Sequence, residues 1–165
     1  MSSPTTWSTT DLCDEHPDAQ VCAPVFLVLG GAPAFSGPIA TLKVFEDNTS
    51  VREAVNRPGE GQVLVVDGGG SLRCSLFGGN LAVAAAQNGW AGVVVSGAVR
   101  DLAELEAQPI GVRALAAVPR KSERGLHSSV ADRPVEFAGV LFRPGEWLCA
   151  DRDGVIVLPA EPARG

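Results

Sequence analysis

The feature that most limits what this chain can fold into is a pair of short, unbroken apolar runs on either side of one helical segment. Gln62-Val63-Leu64-Val65-Val66-Asp67 carries no polar residue between its ends, and Gly92-Val93-Val94-Val95-Ser96 repeats the pattern. Runs this short and this rich in valine read as buried strands. Between them, residues 79–88 place Leu81, Ala84 and Ala85, with the flanking Trp90, on one helical face, and Gly89 supplies the stop.

Around this unit the chain is a series of β-branched runs separated by turns. Val25 to Leu29 is a continuous apolar strand, and residues 39–46 form a second with partial alternation. Ser50 to Asn56 suits a short helix, with Ser50 as N-cap and Glu53 as its capping-box partner. Thr10 is placed to cap another through Leu12 and Cys13, limited by Pro17. Asp101 opens a further short helix, and Ile110 to Val118 is an apolar run ended by Pro119. Val135 to Leu158 predicts three strands, broken at Arg143-Pro144-Gly145 and at Asp151-Arg152-Asp153-Gly154. Strands alternating with helices argue for an α/β fold, and the strand-only ending makes part of the sheet antiparallel. A chain of 165 residues fits one such layered domain. Residues 1–9 and 160–165 read as flexible tails.

Charge and cysteine content exclude several functions. With 13 basic and 19 acidic residues the net charge is −6, and no basic run exists to grip a phosphate backbone, so direct nucleic-acid binding is not expected. No apolar stretch approaches the ~20 residues of a membrane span. Met1 to Asp14 lacks the basic and apolar parts of a secretory signal. Cys13, Cys22, Cys74 and Cys149 include no Cys-x-x-Cys pair, and His16 and His127 are the only histidines. That argues against zinc and for buried free thiols in a reducing cytoplasm.

The glycine-rich loops fail the familiar nucleotide and nucleophile patterns. G-x-G-x-x-G from Gly68 and G-x-S-x-G from Gly69 both break at Arg73, and no P-loop occurs. Two local features remain. Gly78-Gly79-Asn80-Leu81 opens the 79–88 helix with small side chains, either exposing amides suited to a carboxylate or phosphate or simply making a tight loop. Arg100-Asp101 ends a buried strand, where ligand sites collect in α/β sheets. Arg100 offers a fork for a carboxylate and Asp101 a hard oxygen ligand for Mg²⁺ or Mn²⁺; alternatively Asp101 caps the following helix and Arg100 makes a structural ion pair. Asp67, Asp151 and Asp153 read as turn formers, and Trp90 and Trp147 as core or interface anchors. His127 falls in a polar, exposed segment, and His16 has no expected role.

Several stretches together resemble the RraA-like family. They are Gly37-Pro38-Ile39-Ala40-Thr41, Phe45-Glu46-Asp47-Asn48, Val65-Val66-Asp67-Gly68-Gly69, Gly92 to Asp101 and Ala150 to Val157, in the family's order, and the resemblance runs from about Thr10 to Pro159. The family comprises regulators of ribonuclease activity and class II 4-hydroxy-4-methyl-2-oxoglutarate aldolases, which also decarboxylate oxaloacetate. Some members were formerly labelled menaquinone-pathway methyltransferases, but nothing here resembles an S-adenosylmethionine-binding loop. The resemblance implies a swivelling β/β/α sandwich with mixed sheet, assembled as a homotrimer or dimer of trimers with sites near subunit interfaces. It implies a small 2-keto acid as substrate, a carboxylate-binding Arg100, a metal-binding Asp101, and pyruvate-binding amides at Gly78, Gly79, Asn80 and Leu81. A non-catalytic regulator docking on a ribonuclease or helicase is the alternative; the ribonuclease-inhibiting member lacks the metal Asp, which is present here as Asp101.

One departure stands out. The aldolases carry an acidic residue separated from the Arg-Asp pair by twenty residues, and that position falls on Gly79. Neither Gly79 nor the adjacent Asn80 is a carboxylate base. Aldol cleavage must remove a hydroxyl proton, whereas decarboxylation need not. The expectation is weak aldol cleavage with oxaloacetate decarboxylation retained.

Overall fold

The two apolar runs become neighbouring central strands of one mixed sheet. The computed structural model describes residues 7–123, 125 and 129–163, so His127 lies outside the described residues. In chain order the elements are α1 (Thr9–Glu15), β1 (Gln20–Val21), β2 (Leu27–Leu29), β3 (Phe35–Lys43), α2 (Thr49–Val55), β4 (Val63–Asp67), β5 (Ser75–Phe77) and α3 (Gly79–Gln87). There follow β6 (Gly92–Val99), α4 (Leu102–Glu106), β7 (Gly111–Ala117), β8 (Val130–Ala131), β9 (Val135–Phe137), β10 (Val140–Phe142), β11 (Trp147–Asp151) and β12 (Gly154–Leu158).

Strands β3, β4, β6 and β7 run parallel, with β2 antiparallel on the outer edge of β7. Strand β3 belongs to two neighbourhoods. Its residues Phe35 to Pro38 pair antiparallel with β11, and Ile39 to Lys43 pair parallel with β4. Beyond β11 lie β12 and β1, so one sheet curls from a parallel half into an antiparallel half.

Side-chain alternation along the central strands builds two cores. Leu64, Val66, Val93 and Val95 pack with Val51, Leu81, Ala85 and Leu105 from the helices. Val63, Val65 and Val94 face the other way, against Phe142, Leu148, Val155 and Val157. Each fully buried valine or leucine contributes roughly 1.5–3 kcal/mol, so both faces of β4 and β6 demand apolar residues. The result is the expected β/β/α layering. Leu12 of α1 closes a smaller cluster with Cys149, Ile156 and Leu158.

Several element boundaries differ from the sequence reading, each for a local reason. Ser8, not Thr10, caps α1, and Thr9 is buried inside that helix, donating its amide to Asp151 Oδ2 at 2.9 Å and its hydroxyl to Oδ1 at 2.7 Å. The ordered domain therefore includes position 9, and Pro162 near the other end is buried. Asp47, not Ser50, accepts the α2 amide of Thr49 at 2.8 Å, while Ser50 bonds Ser129. The apolar run at Val25 to Leu29 is an exposed edge, with Val25 47% and Val28 46% accessible. Strand β5 is additional, and Ala138 and Gly139, both at positive φ, split the expected first C-terminal strand into β9 and β10.

Asp67 accepts Gly69 N–H at 2.9 Å, and Asp151 accepts Asp153 N–H at 2.9 Å, the expected turn chemistry in both cases. Trp90 is a core residue, donating to Arg57 O at 3.2 Å, and Trp147 packs beside the Leu12 cluster. All four cysteines are free, and burial pushes the Cys22 and Cys149 thiols up to about 12. No helix among the described residues is long and apolar enough to cross a membrane.

Candidate active site

Parallel pairing of β5 with β6 brings the two candidate segments to the same end of the sheet. Phe77 lies opposite Val99, and Arg100 N–H donates to Phe77 O at 3.0 Å, so the chain leaves both strands side by side. Gly78 then turns into α3, while Arg100 and Asp101 turn into α4.

At the α3 mouth Gly78 holds an extended N-cap conformation and no side chain of its own caps the helix. The first bond of that turn is Ala82 N–H to Gly78 O, 3.0 Å, so the amides of Gly79, Asn80 and Leu81 precede the regular ladder. Asp101 fills one of these positions. Its Oδ2 accepts Gly79 N–H at 3.0 Å, and it makes no side-chain bond to α4, the helix it opens. The backbone of Asp101 is left-handed, φ +61 and ψ +49, rather than the extended form of an ordinary N-cap, which turns the carboxylate away from α4. Arg100 Nε stands 3.9 Å from Asp101 Oδ2 and its Nη1 donates to Pro119 O at 3.4 Å, both side chains being 40% exposed.

These residues line a cleft of about 870 Å³. Gly78, Gly79, Asn80, Arg100 and Asp101 all belong to its wall. Leu81 does not: its side chain is 5% exposed and sits in the helix-side core, leaving only its amide at the helix mouth. The remaining wall was not foreseen. It brings in Arg52, Arg73, Arg120 and Lys121, with Glu46, Cys74, Ser122 and Glu123. Arg52 Nε is buried with no hydrogen-bond partner among the described residues. Glu46, at φ +57, is committed to Ser71 Oγ at 3.0 Å and to an ion pair with Arg73. Burial, and next the Glu46 charge, push the Cys74 pKa up, so this thiol is not a thiolate nucleophile at neutral pH. Glu104 of α4 also escaped notice, and it is not part of the cleft wall. Its carboxylate stands against Gly79.

The donor set limits which cation this mouth suits. Among the described residues no group of three or more His, Cys, Asp or Glu side chains could hold a metal. A single half-exposed carboxylate beside open cleft suits Mg²⁺ or Mn²⁺, which keep waters and take further oxygens from a bound substrate. It does not suit zinc, which takes nitrogen and sulfur ligands from the protein.

Fold and cleft together define a layered α/β protein in which a glycine-led helix mouth, Arg100 and the Asp101 carboxylate meet at one sheet end. The chain belongs to the RraA-like family: the family described as Aldolase/RraA matches residues 9–157. A protein of Cupriavidus taiwanensis named "Putative 4-hydroxy-4-methyl-2-oxoglutarate aldolase" is 53% identical over 155 residues, covering 90% of this chain and 93% of its own. A Burkholderia mallei protein of the same name is 55% identical over 158 residues, covering 92% and 94%. Among solved structures, the RNA-processing inhibitor RraA from Thermus thermophilis superposes with a TM-score of 0.92 at 50% identity, covering 96% of each chain. A Geobacillus kaustophilus structure titled as an S-adenosylmethionine:2-dimethylmenaquinone methyltransferase gives 0.90 at 46%, covering 96% of this chain and 100% of its own.

Proposed function

We propose that the protein is a divalent-metal-dependent carbon–carbon lyase that forms the enolate of pyruvate. Its substrates are 4-hydroxy-4-methyl-2-oxoglutarate, by aldol cleavage, oxaloacetate, by decarboxylation, or both. The observation that carries this reading is the convergence of Arg100, Asp101 and the α3 amides on one cleft. The names of the relatives that share about half its sequence support the aldol reaction.

Each residue has a distinct task. Arg100 presents its guanidinium fork to the carboxylate next to the reacting ketone. The first-turn amides of α3 orient that end of the substrate and favour its negative charge. Asp101 would hold the Mg²⁺ or Mn²⁺ ion. Such a cation supplies Lewis-acid stabilisation of the developing enolate oxygen.

Charge in the cleft favours a dicarboxylate. Five cations (Arg52, Arg73, Arg100, Arg120 and Lys121) face three carboxylates (Glu46, Asp101 and Glu123), although the chain as a whole carries −6. The unpartnered Arg52 Nε supports binding of a second carboxylate, which both substrates possess. Pyruvate release from each substrate, with Mg²⁺ and after chelation, tests the reading. Release from neither would overturn it.

A second reading is favoured by the likeness to the Thermus RNA-processing inhibitor: a regulator that docks on a ribonuclease or helicase. Capture of ribonuclease E by the catalytically silent Asp101→Asn protein would support it. The homotrimer implied by the family also remains a proposal, supported by the exposed apolar edge at Val25, Leu27 and Val28. Light scattering on the purified protein tests it; a monomer would count against it.

A further inference from the structure

We infer that Glu104, which stands against Gly79 at the α3 mouth, supplies the carboxylate that position 79 lacks and acts as the proton acceptor for aldol cleavage. The inference rests on the lyase reading above. Its starting point is the space around Gly79. A Cβ at that position would overlap Glu104 Oε2 and lie 2.8 Å from Glu104 Cδ and 3.0 Å from Glu104 Cβ. The requirement is one of room, since Gly79 is the first residue of α3 and does not adopt positive φ. A side chain at 79 would displace the Glu104 carboxylate from this place. The site therefore keeps an acid at this place but draws it from α4 instead of α3.

Gly78 is cleared in the same manner. A Cβ there would come within 2.7 Å of Asp101 Oδ2. The two consecutive glycines leave room for two carboxylates, Asp101 ahead of α4 and Glu104 within it, at one helix mouth. Their duties differ. Asp101 is engaged with the Gly79 amide and lies beside Arg100. Glu104 is exposed and its carboxylate has neither a hydrogen bond nor an ion pair among the described residues, so its oxygens are available to a substrate hydroxyl, directly or through one water. Glu46 is consumed by Ser71 and Arg73. Glu123 is the competing acid, because it lines the cleft and Glu104 does not; its charge also acts on Cys74.

In the step assigned to it, Glu104 accepts the proton of the substrate C4 hydroxyl. The O–H electron pair forms the C4 carbonyl as the C3–C4 bond breaks, and the pair from that bond enters the pyruvate enolate. The proton then returns to C3 of the enolate, giving two pyruvates with no change in oxidation state. Decarboxylation of oxaloacetate makes the same enolate without this proton removal, so only one of the two reactions depends on Glu104.

The experiment measures both reactions side by side in the wild type, Glu104→Gln, Glu123→Gln and the double variant Gly79→Asp/Glu104→Ala, with calorimetric binding of oxalate in Mg²⁺. Glu104→Gln is expected to lower the ratio of aldol cleavage to decarboxylation by about 10²–10⁴-fold. Oxalate binding should be retained, which separates loss of a base from loss of the site. Returning the acid to α3 in the double variant should restore aldol cleavage, an outcome that a purely structural role for Glu104 does not produce. An unchanged ratio in Glu104→Gln, or a loss that falls on Glu123→Gln instead, overturns the assignment. A wild type that decarboxylates oxaloacetate but cleaves no aldol overturns it while leaving the lyase reading intact. A wild type inert toward both removes the lyase reading and Glu104's role together.

Discussion

Asp101 opens helix α4, yet its carboxylate caps helix α3, with Oδ2 accepting the Gly79 amide at 3.0 Å. The left-handed backbone at Asp101 makes this possible, and it also dictates which substitution is informative. Asparagine tolerates that conformation and retains an acceptor oxygen, whereas alanine there adds roughly 1–2 kcal/mol of strain. Asp101→Asn is therefore expected to keep the fold, with the melting temperature lowered by no more than about 2–4 °C, the shift that 1 kcal/mol produces in a domain of this size. Metal-dependent turnover should fall by more than about 10²-fold, because Lewis-acid stabilisation is worth several kcal/mol and each ~1.4 kcal/mol is a factor of ten. Thermal melting with Mn²⁺ titration checks both halves. Full turnover in this variant would remove Asp101 from its assigned role.

Gly78→Ala probes the same contact from the other side. The extended backbone at Gly78 (φ −149) accepts alanine, so folding should be nearly unaffected. The new methyl would lie 2.7 Å from Asp101 Oδ2 and 3.1 Å from Arg100 Cγ, and both side chains must move. A displacement of about 1 Å can cost ~10²-fold in rate. We expect a drop of that order in kcat/KM with an unchanged urea midpoint. Wild-type kinetics in this variant would show that the close approach of Gly78 to Asp101 is irrelevant to turnover.

Arg100→Lys separates charge from geometry. Lysine keeps the positive charge but loses the planar fork, and a hydrogen bond to a charged group contributes about 1.5–3 kcal/mol. The expected result is a KM for oxaloacetate raised about 10–100-fold, with a smaller change in kcat. Initial-rate measurements over a wide substrate range decide it; an unchanged KM would place the keto-acid carboxylate elsewhere in the cleft.

The parts of this fold that could be read from sequence are those fixed by local pattern. The valine runs of β4 and β6 announce strands covered on both faces, and Gly78-Gly79 and Arg100-Asp101 announce element ends. What escaped depends on distant partners. Val25 to Leu29 is as apolar as β4, and only the sheet order makes it an exposed edge. Arg113, inside an apolar run, is 1% exposed because the carbonyls of Pro33 and Asp151 take its protons, at 2.6 and 3.1 Å, and its guanidinium lies over Phe35. Burial still lowers its pKa to about 10. The cations of the cleft come from separate segments, so no basic run marks them. Glu104 was legible only as a spacing from Asp101, and its meaning required knowing that α4 packs on the mouth of α3.

The docking of α1 supplies a pH-dependent prediction away from the cleft. Desolvation tends to raise the Asp151 pKa, but hydrogen bonds from the Thr9 amide and hydroxyl and from the Asp153 and Gly154 amides outweigh it and hold it below 3.8. A carboxylate with a depressed folded pKa contributes stability that is complete above the unfolded value and disappears as the pH falls through the folded one. The contact lies near the surface, so about 1 kcal/mol is expected rather than the full strength of a charged hydrogen bond. Thr9→Val removes the hydroxyl donor while keeping a side chain of similar shape. This variant should be less stable than wild type at pH 7, and the gap should close as the pH falls through the depressed pKa of Asp151, below 3.8. Urea unfolding from pH 7 down to pH values below the folded pKa of Asp151, followed by tryptophan fluorescence from Trp147 beside α1, measures the difference. A gap that stays constant across that range would mean that Thr9 acts through packing and not through the Asp151 carboxylate.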